Sequence, residues 1–333
     1  MDDIGHTLNL SQNNTKKRKC KFHLFFPGYT SYNARFIKLT FRIILRVTIV
    51  SSDELTVKMT SKHFLLFLIG VMSQAYITTA KYHLDLLYNG GCSITFTNEL
   101  YAVKKTGSFY KRSPPTEESE SWIKCAEKIG NNGWDSFKFL FLGPDGDLYA
   151  VRKKNGEFLK GSPPENAGDT WSARATIIGN NGWADFKFLF FGPGGDLYAV
   201  RKKNGEFLKG SPPKNAGDSW SATIIGNNGW ADFKFLFFGP HCNLYAVKQD
   251  GSIVTTYEPK DNSDAWLGRA KKIGARGWEQ FKFLFFGPGG YLYAVPCDGS
   301  LRKAPPPTNA NETWVSHSTK IGAKGWETFV FLF

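Results

Sequence analysis

The chain has 333 residues, a formal net charge of +13 and 16% aromatic side chains. The first 75 residues hold 11 Lys and Arg against 4 Asp and Glu, so roughly half of the excess positive charge sits there. Basicity concentrated in a leader does not make a nucleic-acid-binding face, and that class is set aside.

In chain order, residues 1–58 form a basic extension. Its run Thr15-Lys16-Lys17-Arg18-Lys19 is the kind that is usually solvated surface. It is expected to have little order, or to be an upstream addition joined to the true start. Residues 59–75 read as a signal peptide: Met59-Thr60-Ser61-Lys62-His63 is a short basic start, Phe64 to Met72 an apolar run, and Ser73-Gln74-Ala75 a small-residue cleavage site. A signal anchor or a buried strand is the alternative. The run is shorter than the ~20 residues of a membrane span, so no stable span is expected in a mature form. Residues 76–97 read as a linker, and the product is expected to be secreted.

From residue 98 to 333 the chain repeats. Trp134, Trp183, Trp230, Trp278 and Trp326 each follow a Gly and precede a Phe by three residues, at spacings of 49, 47, 48 and 48. The other five tryptophans, Trp122, Trp171, Trp220, Trp266 and Trp314, recur once per unit. A period of ~40–50 residues marks one supersecondary unit in an array. Within one unit, Phe186 to Phe191 is aromatic-rich, read as a strand buried on both faces. Gly192-Pro193-Gly194-Gly195 is a turn. Asp196 to Arg201 alternates, read as a strand with one covered face. Asn204-Gly205 signals a hairpin, Glu206 to Lys209 a third strand, and Ala222 to Ile225 a fourth, with Asp218 and Trp220 in the loop between.

Four short antiparallel strands per unit describe a propeller blade. The chain begins its first unit at Leu100-Tyr101-Ala102-Val103, a second strand, and stops after Phe329 to Phe333, a first strand. The two fragments complete one blade. The expected fold is therefore all-β: a five-bladed β-propeller of four-stranded antiparallel blades, closed by the C-terminal strand joining the N-terminal blade, which leaves no broken edge. The second and third units are nearly copies, but Arg174-Ala175 has no counterpart after Ser221-Ala222. A two-residue gap inside a strand would preserve side-chain phase.

No asymmetric set of nucleophile, base and stabiliser is visible, and no GxSxG, HExxH or P-loop motif, so an enzyme is not expected. No acidic cluster offers the six to eight oxygens of a calcium site, so neither metal nor cofactor is expected. Cys92, Cys125, Cys242 and Cys297 lie beyond the leader and allow three pairings, with free buried thiols equally open. Asn311-Glu312-Thr313 is a glycosylation sequon.

The recurring polar feature is an acid two residues before each second-set tryptophan: Glu120, Asp169, Asp218, Asp264 and Glu312. A carboxylate accepts hydrogen bonds from sugar hydroxyls, and an indole offers an apolar face and one N–H. A structural reading stands beside this one: the indole packs between blades and the acid caps a loop. Gly-Trp-x-x-Phe-Lys-Phe-Leu-Phe-Phe, Leu-Tyr-Ala-Val, Lys-Gly-Ser-Pro-Pro and Asp-x-Trp, in this order and period, resemble the tachylectin-2 family of horseshoe crab lectins from about Glu99 to Phe333. The resemblance implies a five-bladed lectin with one site per blade for N-acetylglucosamine and N-acetylgalactosamine, acting in innate defence on microbial or host glycans.

Carried over to this chain, the sugar-binding residues would be Glu120 and Trp122, Asp169, Trp171 and Arg174, Asp218 and Trp220, Asp264, Trp266 and Arg269, and Glu312 and Trp314. The family's Asp-Asn-Trp has Ser121, Thr170, Ser219, Ala265 or Thr313 in the middle here, and only Arg174 and Arg269 keep the arginine after the Trp. The sites at Trp171 and Trp266 are thus the most family-like. Several rigid weak sites would raise avidity by ~10²–10⁴ on a dense glycan surface. A propeller scaffold for protein–protein interaction without sugar binding is the runner-up, and a channel-centred glycoside hydrolase the third reading.

Overall fold

The computed structural model describes residue 94 and residues 96–333. The basic extension 1–58, the signal at 59–75, Cys92 and most of the linker fall outside the described residues.

The described chain is all-β and propeller-like, with five four-stranded antiparallel sheets. Sheet I joins β1 (Leu100–Lys104), β2 (Phe109–Arg112) and β3 (Glu127–Gly130) to the last strand, β20 (Phe329–Leu332). Sheet II is β4 (Phe137–Leu142), β5 (Leu148–Arg152), β6 (Phe158–Gly161) and β7 (Thr176–Gly179). Sheet III is β8 (Phe186–Phe191), β9 (Leu197–Arg201), β10 (Phe207–Gly210) and β11 (Thr223–Gly226). Sheet IV is β12 (Phe235–Phe238), β13 (Asn243–Val247), β14 (Ile253–Tyr257) and β15 (Lys271–Gly274). Sheet V is β16 (Phe283–Phe286), β17 (Leu292–Val295), β18 (Leu301–Ala304) and β19 (Thr319–Gly322).

The C-terminal strand does what its motif requires. Ala102 pairs with Leu332 and Val103 with Phe331, and Tyr101 and Phe333 exchange backbone hydrogen bonds of 2.8 and 3.0 Å. Apolar clusters fill the spaces between sheets: I with II, II with III, III with IV, IV with V, and V with I. The first strands of sheets III, IV and V lie against one another, which puts that edge of each sheet toward the common centre. Ile94 packs on the III–IV cluster and Phe96 on the IV–V cluster, so the segment leading to β1 passes that region.

The faces of the first two strands are the reverse of the sequence reading. Leu197 to Val200 of β9 is buried at every residue, whereas β8 buries only Leu189 fully. The second strand lies inside its sheet and is covered by neighbouring sheets on both faces, which overrides its alternating pattern. The first strand is an edge facing the centre, where its phenylalanines are half covered.

Two bulges repeat. In sheets I, II and III the first strand skips a residue against the second, at Val330, Lys138 and Lys187. Every sheet also has a bulge between its third and fourth strands, at Ile129, Ile178, Ile225, Ile273 and Ile321. The extra residue shifts the side-chain phase, so in β7 Thr176 and Ile177 are both exposed while Ile178 and Gly179 are both buried.

The glycine closing each fourth strand has a packing role. A Cβ on Gly179 would stand 2.2 Å from Nε1 of Trp183, and the equivalent distances at Gly130, Gly226, Gly274 and Gly322 are 2.0–2.2 Å. The bare backbone lets the next sheet's indole wedge against it. The glycine just before that indole turns the chain with positive φ, +90° at Gly182.

The tight turn after the first strand keeps its positive φ angles in sheet IV without glycine. Gly194-Gly195 and Gly289-Gly290 take positive φ, and their counterparts in sheet IV are His241 and Cys242, at +60° and +55°. An L residue held there costs about 1–2 kcal/mol. Cys242 is disulfide-bonded, which explains a side chain at a position that otherwise favours glycine. Cys125 and Cys297 are free and exposed.

Candidate functional site

Each loop between third and fourth strands is closed by the second-set tryptophan. The indole N–H donates to the carbonyl nine residues earlier: Trp122 to Ser113, Trp171 to Ser162, Trp220 to Ser211, Trp266 to Tyr257 and Trp314 to Pro305, at 2.7–2.9 Å. The same ring packs on the first-set tryptophan of its own sheet. Centroids lie 5.4 Å apart for Trp134–Trp171, 5.3 Å for Trp183–Trp220, 5.2 Å for Trp230–Trp266, 5.6 Å for Trp278–Trp314 and 5.3 Å for Trp326–Trp122. Trp122, Trp171, Trp266 and Trp314 are only 1–2% exposed. Trp220 is half-buried.

The acids also have partners inside their loops. Glu120 accepts the Thr116 N–H, Asp218 those of Lys214 and Asn215, Asp264 that of Lys260 and Glu312 that of Thr308. In sheets II and IV a guanidinium is added. Arg174 donates through Nε and Nη2 to Asp169, with Nη2 also reaching the Ser162 and Pro163 carbonyls at 2.9 and 3.2 Å. Arg269 binds Asp264 in the same way and reaches the Glu258 carbonyl and the Thr256 hydroxyl. Hydrogen bonds from these arginines hold the Asp169 and Asp264 carboxyls below their usual range.

Sheet I solves the same problem from another element. Cys125 stands where Arg174 stands in sheet II. Arg112, at the end of β2, instead places Nη1 2.7 Å from Glu120. The sequence reading did not single out Arg112. Its signal was a lone arginine at a register occupied elsewhere by Gly161, Gly210, Thr256 or Ala304. In sheet V, His317 takes the arginine's place and turns its ring back to the Thr313 carbonyl.

The gap in the third unit lies outside the strands. Arg174 ends a helical turn, Trp171–Arg174, and Ala175 caps it before β7. Similar turns stand at Trp122–Cys125, Trp266–Arg269 and Trp314–His317. Without the two residues, sheet III has no such turn and runs directly from Trp220 into β11. The gap therefore preserves the strand because it falls before it.

Two clefts meet at Asp218 and Trp220. One is lined by Asn180, Asn181, Trp183, Phe186 and Arg201 together with the 216–218 loop and Trp220. The other is lined by Ser211, Pro212, Pro213 and Lys214 together with Asp218 to Ser221. In sheet IV the first of these is bridged by the Asn227 amide, which donates to the Asn262 carbonyl at 2.8 Å. Among the described residues no such bond joins Asn180 to the 215–217 loop. The sheet III clefts thus combine a partly bare indole, a carboxylate, side-chain amides and a guanidinium, a set suited to a small polar ligand with an apolar face.

Among the described residues, no group of three or more His, Cys, Asp or Glu could hold a metal ion. No helix there is long and apolar enough to cross a membrane.

The Tachylectin family profile matches residues 92–173 and 152–333. A solved structure described as "The de novo evolutionary emergence of a symmetrical protein is shaped by folding constraints" is 38% identical, with a TM-score of 0.65, over 71% of this chain and 98% of that one. Remoter similarity, in fold class only, links the chain to a nidogen/laminin complex (13% identity, TM-score 0.41, 71% and 96% covered). A virginiamycin B lyase from Staphylococcus aureus is similar at 10% identity and a TM-score of 0.34, with 62% and 65% covered. From the repeated motifs, the five sheets, the extent of the family profile and the 38% identical structure, this chain belongs to the Tachylectin family.

Proposed function

We propose that the protein is a secreted, metal-independent lectin of the tachylectin-2 type. It binds glycans bearing N-acetylglucosamine or N-acetylgalactosamine through several sites on one closed five-bladed ring. It serves recognition of microbial or host surfaces in innate defence and is not an enzyme. The observation that carries this reading is the open pair of clefts at Trp220, where an acid, amides and an indole face converge. The pairing of β20 with β1 and the packing of sheet V on sheet I support the ring. The disulfide at Cys242 fits an oxidising compartment.

A second reading has its own support. Four of the five indoles are buried with their N–H bonded to backbone, as expected of a scaffold that binds protein by its loops. A glycan array with and without free N-acetylglucosamine separates the two. Selective signal on acetylated amino sugars that the free sugar abolishes supports the lectin. No glycan binding by a folded protein supports the scaffold.

A further inference from the structure

The acid-bearing loops of the five sheets share one outward position. Three residues before the second-set tryptophans stand Ser119, Gly168, Gly217, Ser263 and Asn311, all of them exposed. The two glycines show how much room that position has. A Cβ on Gly217 would meet nothing within 4 Å, and one on Gly168 only the Asn166 side-chain oxygen at 3.4 Å. A side chain there has open space in front of it.

In sheet V this position carries a modification sequence. Asn311-Glu312-Thr313 is the single Asn-X-Ser/Thr run among the described residues. Other groups hold the loop: the Asn311 N–H donates to the Asn309 side-chain oxygen at 3.1 Å, and Glu312 accepts from the Thr308 N–H at 2.9 Å. Neither bond uses the Asn311 amide nitrogen, so the fold can carry a substituent on it and keep both. The disulfide at Cys242 is an independent observation. Disulfides form in the lumen of the secretory pathway, where lipid-linked oligosaccharides are transferred to asparagines of this kind.

We propose that Asn311 carries an N-linked glycan in the secreted chain, and that this glycan covers the sheet V loop and closes that repeat to outside sugar. In the transfer, Nδ2 of Asn311 displaces the pyrophosphate of a lipid-linked oligosaccharide at the anomeric carbon. A C–N bond forms, the C–O bond to phosphate breaks, and the proton lost from Nδ2 ends on the released lipid pyrophosphate, with the host's transferase as catalyst. An N-glycan is bulky and belongs on the surface. Here it stands beside Glu312 and three residues from Trp314, the acid and indole of sheet V. That sheet also has His317 where sheets II and IV keep Arg174 and Arg269, so the glycan sits on a loop that has already left the pattern. The modification rests on the secreted reading, and the closure on the lectin reading.

The test uses the full chain, leader included, expressed in insect cells and recovered from the medium. Release of the glycan by an amidase in heavy-oxygen water leaves a labelled Asp at 311, read by peptide mass spectrometry. Most secreted chains are expected to show that label. Thr313→Ala keeps the asparagine and is expected to lose both the label and the glycan's mass. Calorimetry with the methyl glycoside of N-acetylglucosamine then reads stoichiometry, and Thr313→Ala is expected to bind one more sugar per chain than the glycosylated parent. Should Thr313→Ala loosen the loop by losing its bond from Ser316, Asn311→Gln carries the same expectation. A secreted chain with unlabelled Asn311 overturns the assignment while leaving the lectin intact. A glycosylated parent with the same stoichiometry as both variants overturns the closure. A chain kept in the cytoplasm with Asn311 bare overturns the assignment together with secretion, and a folded chain that binds no sugar overturns the closure together with the lectin.

Discussion

Removal of residues 329–333 tests the joint on which the arrangement of sheets depends. The deletion takes away β20, whose Phe329 and Leu332 are each 5% exposed and belong to the cluster between sheets V and I. Truncating a buried Phe costs about 3–5 kcal/mol and a buried Leu about 2–5 kcal/mol. The two share one strand, so their sum overstates the loss. The hydrogen bonds that Tyr101 exchanges with Phe333 go as well, each worth about 1 kcal/mol net. A loss of roughly 5–10 kcal/mol stands against a total stability of about 5–15 kcal/mol. The shortened chain is expected to unfold at much lower urea, or to be unfolded without it, by tryptophan fluorescence and far-UV circular dichroism together. A synthetic peptide spanning 324–333 should restore part of the loss by re-pairing with β1. Coincident urea curves for the intact and shortened chains would refute the reasoning, because they would mean that β20 adds nothing to sheet I.

Three further outcomes follow from the same geometry. Gly179→Ala puts a Cβ 2.2 Å from the Trp183 indole nitrogen and should cost about 1–3 kcal/mol by overpacking, whereas Gly168→Ala, facing only the Asn166 side chain at 3.4 Å, should be near neutral in thermal melts. Burial pushes the Tyr101, Tyr149 and Tyr293 hydroxyls up to about 12 from 10.0. A raised folded value means that the contribution is whole below pH 10.0 and is lost as pH rises toward 12, by at most about 3 kcal/mol per group; phenolate absorbance should therefore lag behind model tyrosine and appear with unfolding, and normal titration in a folded chain would count against it. Arg174→Ala should cost no more than about 1 kcal/mol, because Arg174 is 41% exposed and solvent screens its pair with Asp169; that pair holds the Asp169 carboxyl low, so its contribution is present above pH 3.8 and fades as acid protonates the folded carboxylate, and a variant with the parent's acid limb would show the pair to be idle.

Much of the architecture was legible because the tryptophan spacing and the terminal fragments are long-range signals that one residue cannot blur. Strand faces were less legible. Leu197 to Val200 reads as half covered and is buried throughout, since burial there comes from neighbouring sheets that the local pattern does not encode. The fourth strand breaks strict alternation for a related reason: its bulge leaves Thr176 and Ile177 both exposed and Ile178 and Gly179 both buried. The helical turn at Trp171–Arg174 spans four residues, too few for any periodic pattern to announce it.

The loop chemistry shows why motif likeness and openness part company. Each acid two residues before a tryptophan must satisfy loop N–H groups, and the remaining charge is met differently in different sheets. Sheets II and IV use an arginine from the helical turn, and sheet I uses Arg112 from the adjacent strand. In both designs the partner occupies the ground above the loop, so the repeats that best preserve the family's arginine are also the most completely self-satisfied. Sheet III has neither guanidinium, and its acceptors face a cleft beside a half-buried indole. The two-residue gap that reads as decay in the sequence leaves, in three dimensions, a loop whose acid has no guanidinium partner beside a cleft.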